Sequence, residues 1–268
     1  MSWVESLILG IVEGITEFLP ISSTGHLILT RSLLGLRGEA VDRLLIVIQG
    51  AAILAVCWEY RARLWQIGRG ATSQPSARRF VLNLAIAFMP LAILGLVFEA
   101  PIESILFAPV PVAIALVVGG VLILWAERRV HRESISSVDE LSPTDALKVG
   151  FFQALALVPG ISRAAATIIG GLLIGMSRRA ATEFSFFVAI PTLLAATAYK
   201  LWQARGTLSV HEMEFLAIGS VTAFLSALLS IRLLLRFVSR HSFEAFAWYR
   251  ILFGAVILGT WAFGWVKW

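Results

Sequence analysis

Two carboxylates stand four residues apart in an otherwise apolar run, GIVEGITEFLP, at Glu13 and Glu17. On a helix both project from one face, about one turn apart. Like charges that close resist double ionisation unless a cation sits between them, and carboxylate oxygens suit a divalent metal such as Mg2+ or Ca2+. A shallow segment with both acids turned to outer water would meet the same requirement. Directly after Pro20 and Ile21 come Ser22, Ser23, Thr24, Gly25 and His26. A proline can open a half-helix, whose free N–H groups and positive dipole end suit an anion such as phosphate. On such a helix His26 stands three residues from Ser23 and four from Ser22, so the imidazole can reach a hydroxyl, the minimum for an activated nucleophile. The plainer reading is a cap whose hydroxyls satisfy backbone groups, with His26 making one structural hydrogen bond.

A second break, Pro159-Gly160-Ile161-Ser162-Arg163, ends in an arginine followed by the apolar run AAATIIGGLLIG. A guanidinium among such neighbours needs a partner, and its planar fork matches two phosphate oxygens or a carboxylate. Arg163 therefore points either to an anionic ligand, with Ser162 and Thr167 as neutral donors, or to an ion pair with Glu13 or Glu17. Gln49 could line the same cavity, whereas Glu183, beside Arg178 and Arg179, reads as an interfacial ion pair. No GxxxxGK loop, GxGxxG turn or HExxH helix occurs, so nucleotide-driven transport and zincin chemistry have no support.

The elements that must position these groups belong in lipid. Of 268 residues, 58% are apolar and 15% charged, too few charges to cover a water-soluble globule, and the mean hydropathy is +0.85. The net charge of +5 is small for nucleic-acid binding, and the lone Cys57 offers neither a disulfide framework nor a zinc site. The first twenty residues carry three glutamates and no basic start, unlike a secretory leader. Six runs approach the length of a membrane helix: Leu44–Trp58, Val81–Phe98, Val110–Ala126, Phe184–Tyr199, Phe215–Leu235 and Ala245–Val266. Two more apolar stretches, around 5–34 and 145–176, contain the breaks and read as re-entrant hairpins, tolerated at depth only inside protein or beside a water-filled cavity.

Arginines in 59–79 and in 127–148, including Arg128, Arg129 and Arg132, place those loops in the cytoplasm, and the acid-bearing 99–109 outside. Arg31, Arg37 and Arg43 pull mildly the other way. Counting crossings, the first hairpin enters from the outer side and the second from the cytoplasm. The expected fold is an all-α integral membrane protein with an inverted-topology repeat, each half a broken re-entrant hairpin followed by three transmembrane helices. It forms a single membrane domain over 1–268, with repeats of approximately 1–130 and 145–268. Local sequence agrees: 10–26 and 150–167 both open on Gly, carry Glu or Gln three residues on, and then Pro and Ser. In that architecture the discontinuous helices of both halves meet near the midplane.

The run EGITEFLPISSTGH at 13–26, with PGISRAAAT at 159–167, closely resembles the two signature motifs of the bacterial undecaprenyl-diphosphate phosphatase family, the integral-membrane type linked to bacitracin resistance. The resemblance extends along nearly the whole chain, through VIQ…ILAV at 47–56 and the EFSF…P run at 183–191. It implies hydrolysis of a prenyl diphosphate lipid to the monophosphate that carries cell-wall precursors, with a divalent metal, in the bacterial inner membrane, at a site opening toward the periplasm. It also implies that Glu13 and Glu17 handle the metal or the attacking group, that Ser23 and His26 provide nucleophile and proton transfer, and that Arg163 holds the diphosphate. Ser22, Thr24, Ser162, Thr167 and Gln49 would then contact substrate. Whether serine, histidine or water attacks stays open. The chain departs from the family's usual Ser-Arg-Ser at Ser162-Arg163-Ala164, and its VIQGAA around Gln49 reads differently. Partners expected are the prenyl diphosphate lipid and membrane lipids, with no nucleic acid and with a homodimer kept open. The competing class is an ion-coupled transporter or lipid flippase on the same inverted repeat, which would have no need of the SSTGH cluster.

Overall fold

The computed structural model describes residues 1–129, 133–203 and 210–265, so Arg132 of the basic loop and Val266 at the end of the last run lie outside the described residues. Among the described residues the chain is helical, with a single β-bridge between Ile135 and Met176 and no strand. The first hairpin is α1 (Trp3–Thr16) and α2 (Ser23–Leu33). It is followed by α3 (Glu39–Glu59), the short α4 (Arg61–Gly70), α5 (Pro75–Leu106) and α6 (Pro109–Arg128). The second hairpin is α7 (Pro143–Ala154) and α8 (Arg163–Leu173), followed by α9 (Arg178–Gln203), α10 (Val210–Val238) and α11 (Glu244–Ala262). Six helices, α3, α5, α6, α9, α10 and α11, are long and apolar enough to cross a membrane, and the protein is a multi-pass membrane protein.

Two expectations are corrected. The run read as Val81–Phe98 belongs to a helix that continues through Pro90 and Pro101 to Leu106, leaving Phe107 and Ala108 rather than 99–109 as the connection to α6. Each internal proline removes one i→i−4 hydrogen bond, which a helix supported by neighbours or ending near water tolerates. The arginine-rich 59–79 segment is likewise largely helical, as α4 and the start of α5.

Contacts between termini fix which ends lie together. Arg63 pairs with Asp139 at 2.8 Å, Arg79 donates to the Asp139 carbonyl at 2.6 Å, Arg178 pairs with Glu127 at 2.6 Å, and Arg232 with Glu59 at 2.8 Å. The 59–79 and 127–148 segments therefore share one end of the bundle with the start of α9 and the finish of α10. At the other end Arg31 pairs with Asp42 and Arg43 with Glu39 and Glu212, so two of the three arginines that argue against the orientation are matched by acids. Ser6 near the start of α1 donates to the Phe215 carbonyl at this second end, whereas Asn83 of α5 donates to the Leu141 carbonyl just before α7. The two hairpins thus enter from opposite ends.

Each hairpin's first helix is sealed against a long helix from the stretch that follows the other hairpin. α1 lies along α10 and α7 along α5, while α6 packs on α11 and α3 on α9. The α1–α10 contact is close because of Gly10 and Gly14: a side chain on Gly14 would overlap the Ser226 hydroxyl and the Ala223 carbonyl. Ser226 and Ser230 use that proximity to donate to the carbonyls of Gly10 and Ile15, at 3.4 and 2.9 Å. Replacing Gly14 by Leu should force the two helices apart and lower unfolding stability by about 1–3 kcal/mol, read as a drop in the thermal midpoint of purified protein in detergent.

Candidate active site

Both hairpins turn on the same backbone device. Among the described residues Ser22 (φ 72°, ψ 97°) and Ser162 (φ 72°, ψ 120°) are the non-glycine residues with positive φ, and each is the cap from which a half-helix starts, α2 or the buried α8. L-residues rarely hold this conformation, so the surrounding packing must impose it. In the first hairpin α1 ends at Thr16, Glu17 forms its C-cap, and Phe18 is buried edge-on against Phe186 of α9, with centroids 5.6 Å apart. The chain then reverses through Leu19–Ile21 into α2. The caps differ in one respect. Ser162 accepts from the Ala165 N–H at 3.2 Å, whereas the N-terminus of α2 receives no side-chain cap. Its first-turn N–H groups are left for another acceptor.

At the meeting point of the hairpins three side chains form one buried chain. The Ser23 hydroxyl donates to Glu17 Oε2 at 2.5 Å, and Arg163 Nη2 lies 3.3 Å from Glu17 Oε1. Arg163 Nη1 donates to the Ser185 carbonyl at 3.0 Å, and the Ser185 and Thr167 hydroxyls share a 2.6 Å hydrogen bond. Glu17, Ser23 and Arg163 are each less than one-tenth exposed. A carboxylate holding a serine proton, with a guanidinium on its other oxygen, can draw that proton off while the cation turns to a second anion.

Glu13 is fully buried one turn before Glu17, and neither of its carboxylate oxygens has a hydrogen-bond partner. Among the described residues no group of three His, Cys, Asp or Glu side chains could hold a metal by itself. Two carboxylates are nonetheless enough for a hard cation whose remaining positions are filled by phosphate oxygens and water, and the two bare oxygens of Glu13 fit that role.

His26 differs from expectation. Its Nδ1 lies 2.7 Å from the Ser22 carbonyl and its Nε2 2.7 Å from the Tyr249 hydroxyl of α11, so neither nitrogen holds a serine hydroxyl; Ser23 turns to the carboxylate instead. Ser22 is buried, Thr24 is half-buried, and Gln49 is half-buried on α3; none of the three contributes a side chain to the bonds that join Glu17, Ser23 and Arg163. Glu183 pairs with Arg179 at 3.0 Å, while Arg178 pairs with Glu127.

Sequence reasoning overlooked Ser185, Tyr249 and above all Arg250. Arg250 is fully buried and donates to four carbonyls: Pro20 at 3.1 Å, Gly160 at 2.9 Å, and Ala115 and Leu116 of α6 at 3.3 Å. Gly119 makes room for it, since any side chain there would overlap the guanidinium. The signal was present, because Arg250 interrupts the apolar AWYRILFGAV as Arg163 interrupts its own run. Nothing in sequence marks Tyr249 apart from the interfacial aromatics.

Comparison with known proteins bears on the whole chain. Residues 6–256 match the family described as bacitracin resistance protein BacA. An undecaprenyl-diphosphatase of Dechloromonas aromatica is 59% identical over 99% of this chain and 97% of its own length. One of Nitrosospira multiformis is 57% identical over 100% of this chain and 99% of its own. One of Pseudomonas putida is 54% identical over 98% and 96%, respectively.

Substituting Arg250 by Lys should destabilise the fold strongly. A lysine ammonium cannot span carbonyls from both hairpins and α6, and stranding buried acceptors beside a buried charge costs about 3 kcal/mol. Thermal unfolding of the variant in detergent measures the loss.

Proposed function

The chain belongs to the family of the bacitracin resistance protein BacA, and we propose that it hydrolyses undecaprenyl diphosphate to undecaprenyl phosphate and inorganic phosphate, returning the lipid carrier to cell-wall polymer synthesis. The observation that carries the mechanism is the buried chain from Ser23 to Glu17 to Arg163, with links of 2.5 and 3.3 Å drawn from both hairpins.

Phosphoryl transfer asks little covalent work of a protein beyond placing the attacking oxygen in line and neutralising charge on the equatorial oxygens. Ser23 Oγ attacks the terminal phosphorus as Glu17 takes its proton. The bond to the bridging oxygen breaks and undecaprenyl phosphate leaves. Water then hydrolyses the phosphoserine and releases inorganic phosphate. Arg163 exchanges Glu17 for the phosphate oxygens, which its fork can hold in pairs, and the uncapped N-terminus of α2 adds N–H donors. Glu13 and Glu17 would hold a divalent cation, Mg2+ or Ca2+, which supplies further positive charge to the diphosphate. The prenyl tail stays in hydrocarbon, so substrate enters laterally between helices.

The two halves, approximately 1–130 and 145–268, are read as an inverted repeat, supported by the paired positive-φ serines and the opposite entry of the hairpins. The arginine-rich end is assigned to the cytoplasm by the positive-inside rule. The hairpin carrying Glu13, Glu17 and Ser23 then opens toward the periplasm of an inner-membrane protein. A carrier on the same frame would have no use for a hydroxyl bound to a carboxylate, and would move lipid across sealed vesicles without releasing phosphate.

Purified protein in detergent should release phosphate from prenyl diphosphates. Glu17→Gln should lower kcat/KM by about 10²–10⁴-fold, the range for a lost general base; undiminished release in that variant would sink the mechanism. Arg163→Lys keeps the charge but loses the fork, and should cost about 100-fold. Chelation should abolish turnover, and titration with Mg2+ or Ca2+ should restore it.

A further inference from the structure

His26 is held on three sides. The Ser22 carbonyl, 2.7 Å from Nδ1, can only accept, so Nδ1 carries the hydrogen. In the neutral ring Nε2 is then the acceptor, and the Tyr249 hydroxyl 2.7 Å away donates to it. The imidazole lies flat on Phe253, with centroids 4.0 Å apart and planes 10° from parallel. Tyr249 and Phe253 stand one turn apart on α11 and stack in the same plane set, 5.9 Å between centroids. What the ring grips is the carbonyl of Ser22, the residue at φ 72° immediately before Ser23. The opposite tautomer would present a lone pair to that carbonyl and release it.

We infer that Tyr249 is a positioning residue for phosphoryl transfer: the Ser22 carbonyl sets the tautomer, and Tyr249, by donating to His26 Nε2, anchors the ring whose Nδ1–H holds that carbonyl, and so aims the Ser23 hydroxyl at Glu17. The inference rests on the phosphatase reading above. Tyr249 touches neither Glu17 nor Arg163 and acts only through the imidazole. Tyr249 is 43% exposed, and removing its hydroxyl leaves its ring stacked beside the imidazole, 5.6 Å between centroids, and the imidazole on Phe253. With the tautomer set by the Ser22 carbonyl, a hydrogen bond to the far nitrogen holds the ring's orientation, and loss of such an outer partner characteristically slows a reaction.

The test is Tyr249→Phe, which keeps the aromatic stack and deletes one donor. Nitrogen NMR of histidine-labelled protein in detergent, with the His26 signals identified by their loss in His26→Gln, reads the tautomer directly. Wild type and Tyr249→Phe should both give the Nδ1–H pattern, with the Nε2 signal of the variant displaced by loss of its donor and the Nδ1–H proton signal displaced as the ring loosens from the Ser22 carbonyl. In phosphate release from a prenyl diphosphate, kcat should fall about tenfold with KM held within about twofold, and the thermal midpoint should stay near that of wild type. An unmoved Nδ1–H proton signal overturns the inference, as does a displaced signal with unchanged kcat. Wild-type protein that releases no phosphate would instead refute the phosphatase reading, and the NMR measurement would still decide whether Tyr249 sets the ring.

Discussion

A freed carbonyl inside a membrane bundle has no water to turn to and must be met by another group of the protein. Each hairpin break frees such carbonyls, and Arg250 answers both at once by binding Pro20 and Gly160 together with two carbonyls of α6. The span of one guanidinium is therefore the greatest separation the two breaks can have. Glu17 stands three residues before one of these carbonyls and Arg163 three residues after the other, so their meeting follows from the same tie. Among the described residues Arg250 has no acid partner; carbonyls of the two breaks and of the intact helix α6 meet its charge.

The two hairpins share a turn device but differ in the polar groups they carry. Where the first hairpin has Glu13, the second has Gln153, and Gln153 is satisfied: it donates to the Ala87 carbonyl at 3.1 Å and accepts from Thr192 at 3.3 Å. Glu13 is equally buried and satisfied by nothing. Where the first hairpin has Ser23, the second has Arg163. The α8 cap is closed by the Ser162 hydroxyl, whereas that of α2 is open. One elbow is thus completed as structure and contributes a cation, and the other keeps a carboxylate without hydrogen-bond partners and an uncapped helix start.

Much of this was legible because lipid imposes strong rules on sequence. Six long apolar runs could be little else, and an ionisable residue inside such a run must have a partner, which singled out Glu13, Glu17 and Arg163. The choice among partners was not legible. Spacing on α2 allowed His26 to meet Ser22 or Ser23, yet the ring is turned by Tyr249 and Phe253, more than two hundred residues away, so Ser23 is left to Glu17. Arg250 escaped because its partners are backbone carbonyls, which every residue has and no sequence advertises. The ends of α5 and the whole of α4 were misjudged for a related reason: near the membrane boundary, charged and proline residues are compatible with both loop and helix, and neighbouring packing decides.

The seam between α1 and α10 bears on how the molecule is made. Ser226 and Ser230 reach carbonyls of Gly10 and Ile15 across more than two hundred positions of chain, so α1 finds this neighbour only after α10 has been made. Until then its acids have neither helix α10 nor the second elbow to shelter them. The meeting of Glu17, Ser23 and Arg163 is therefore a late event in synthesis rather than an early one.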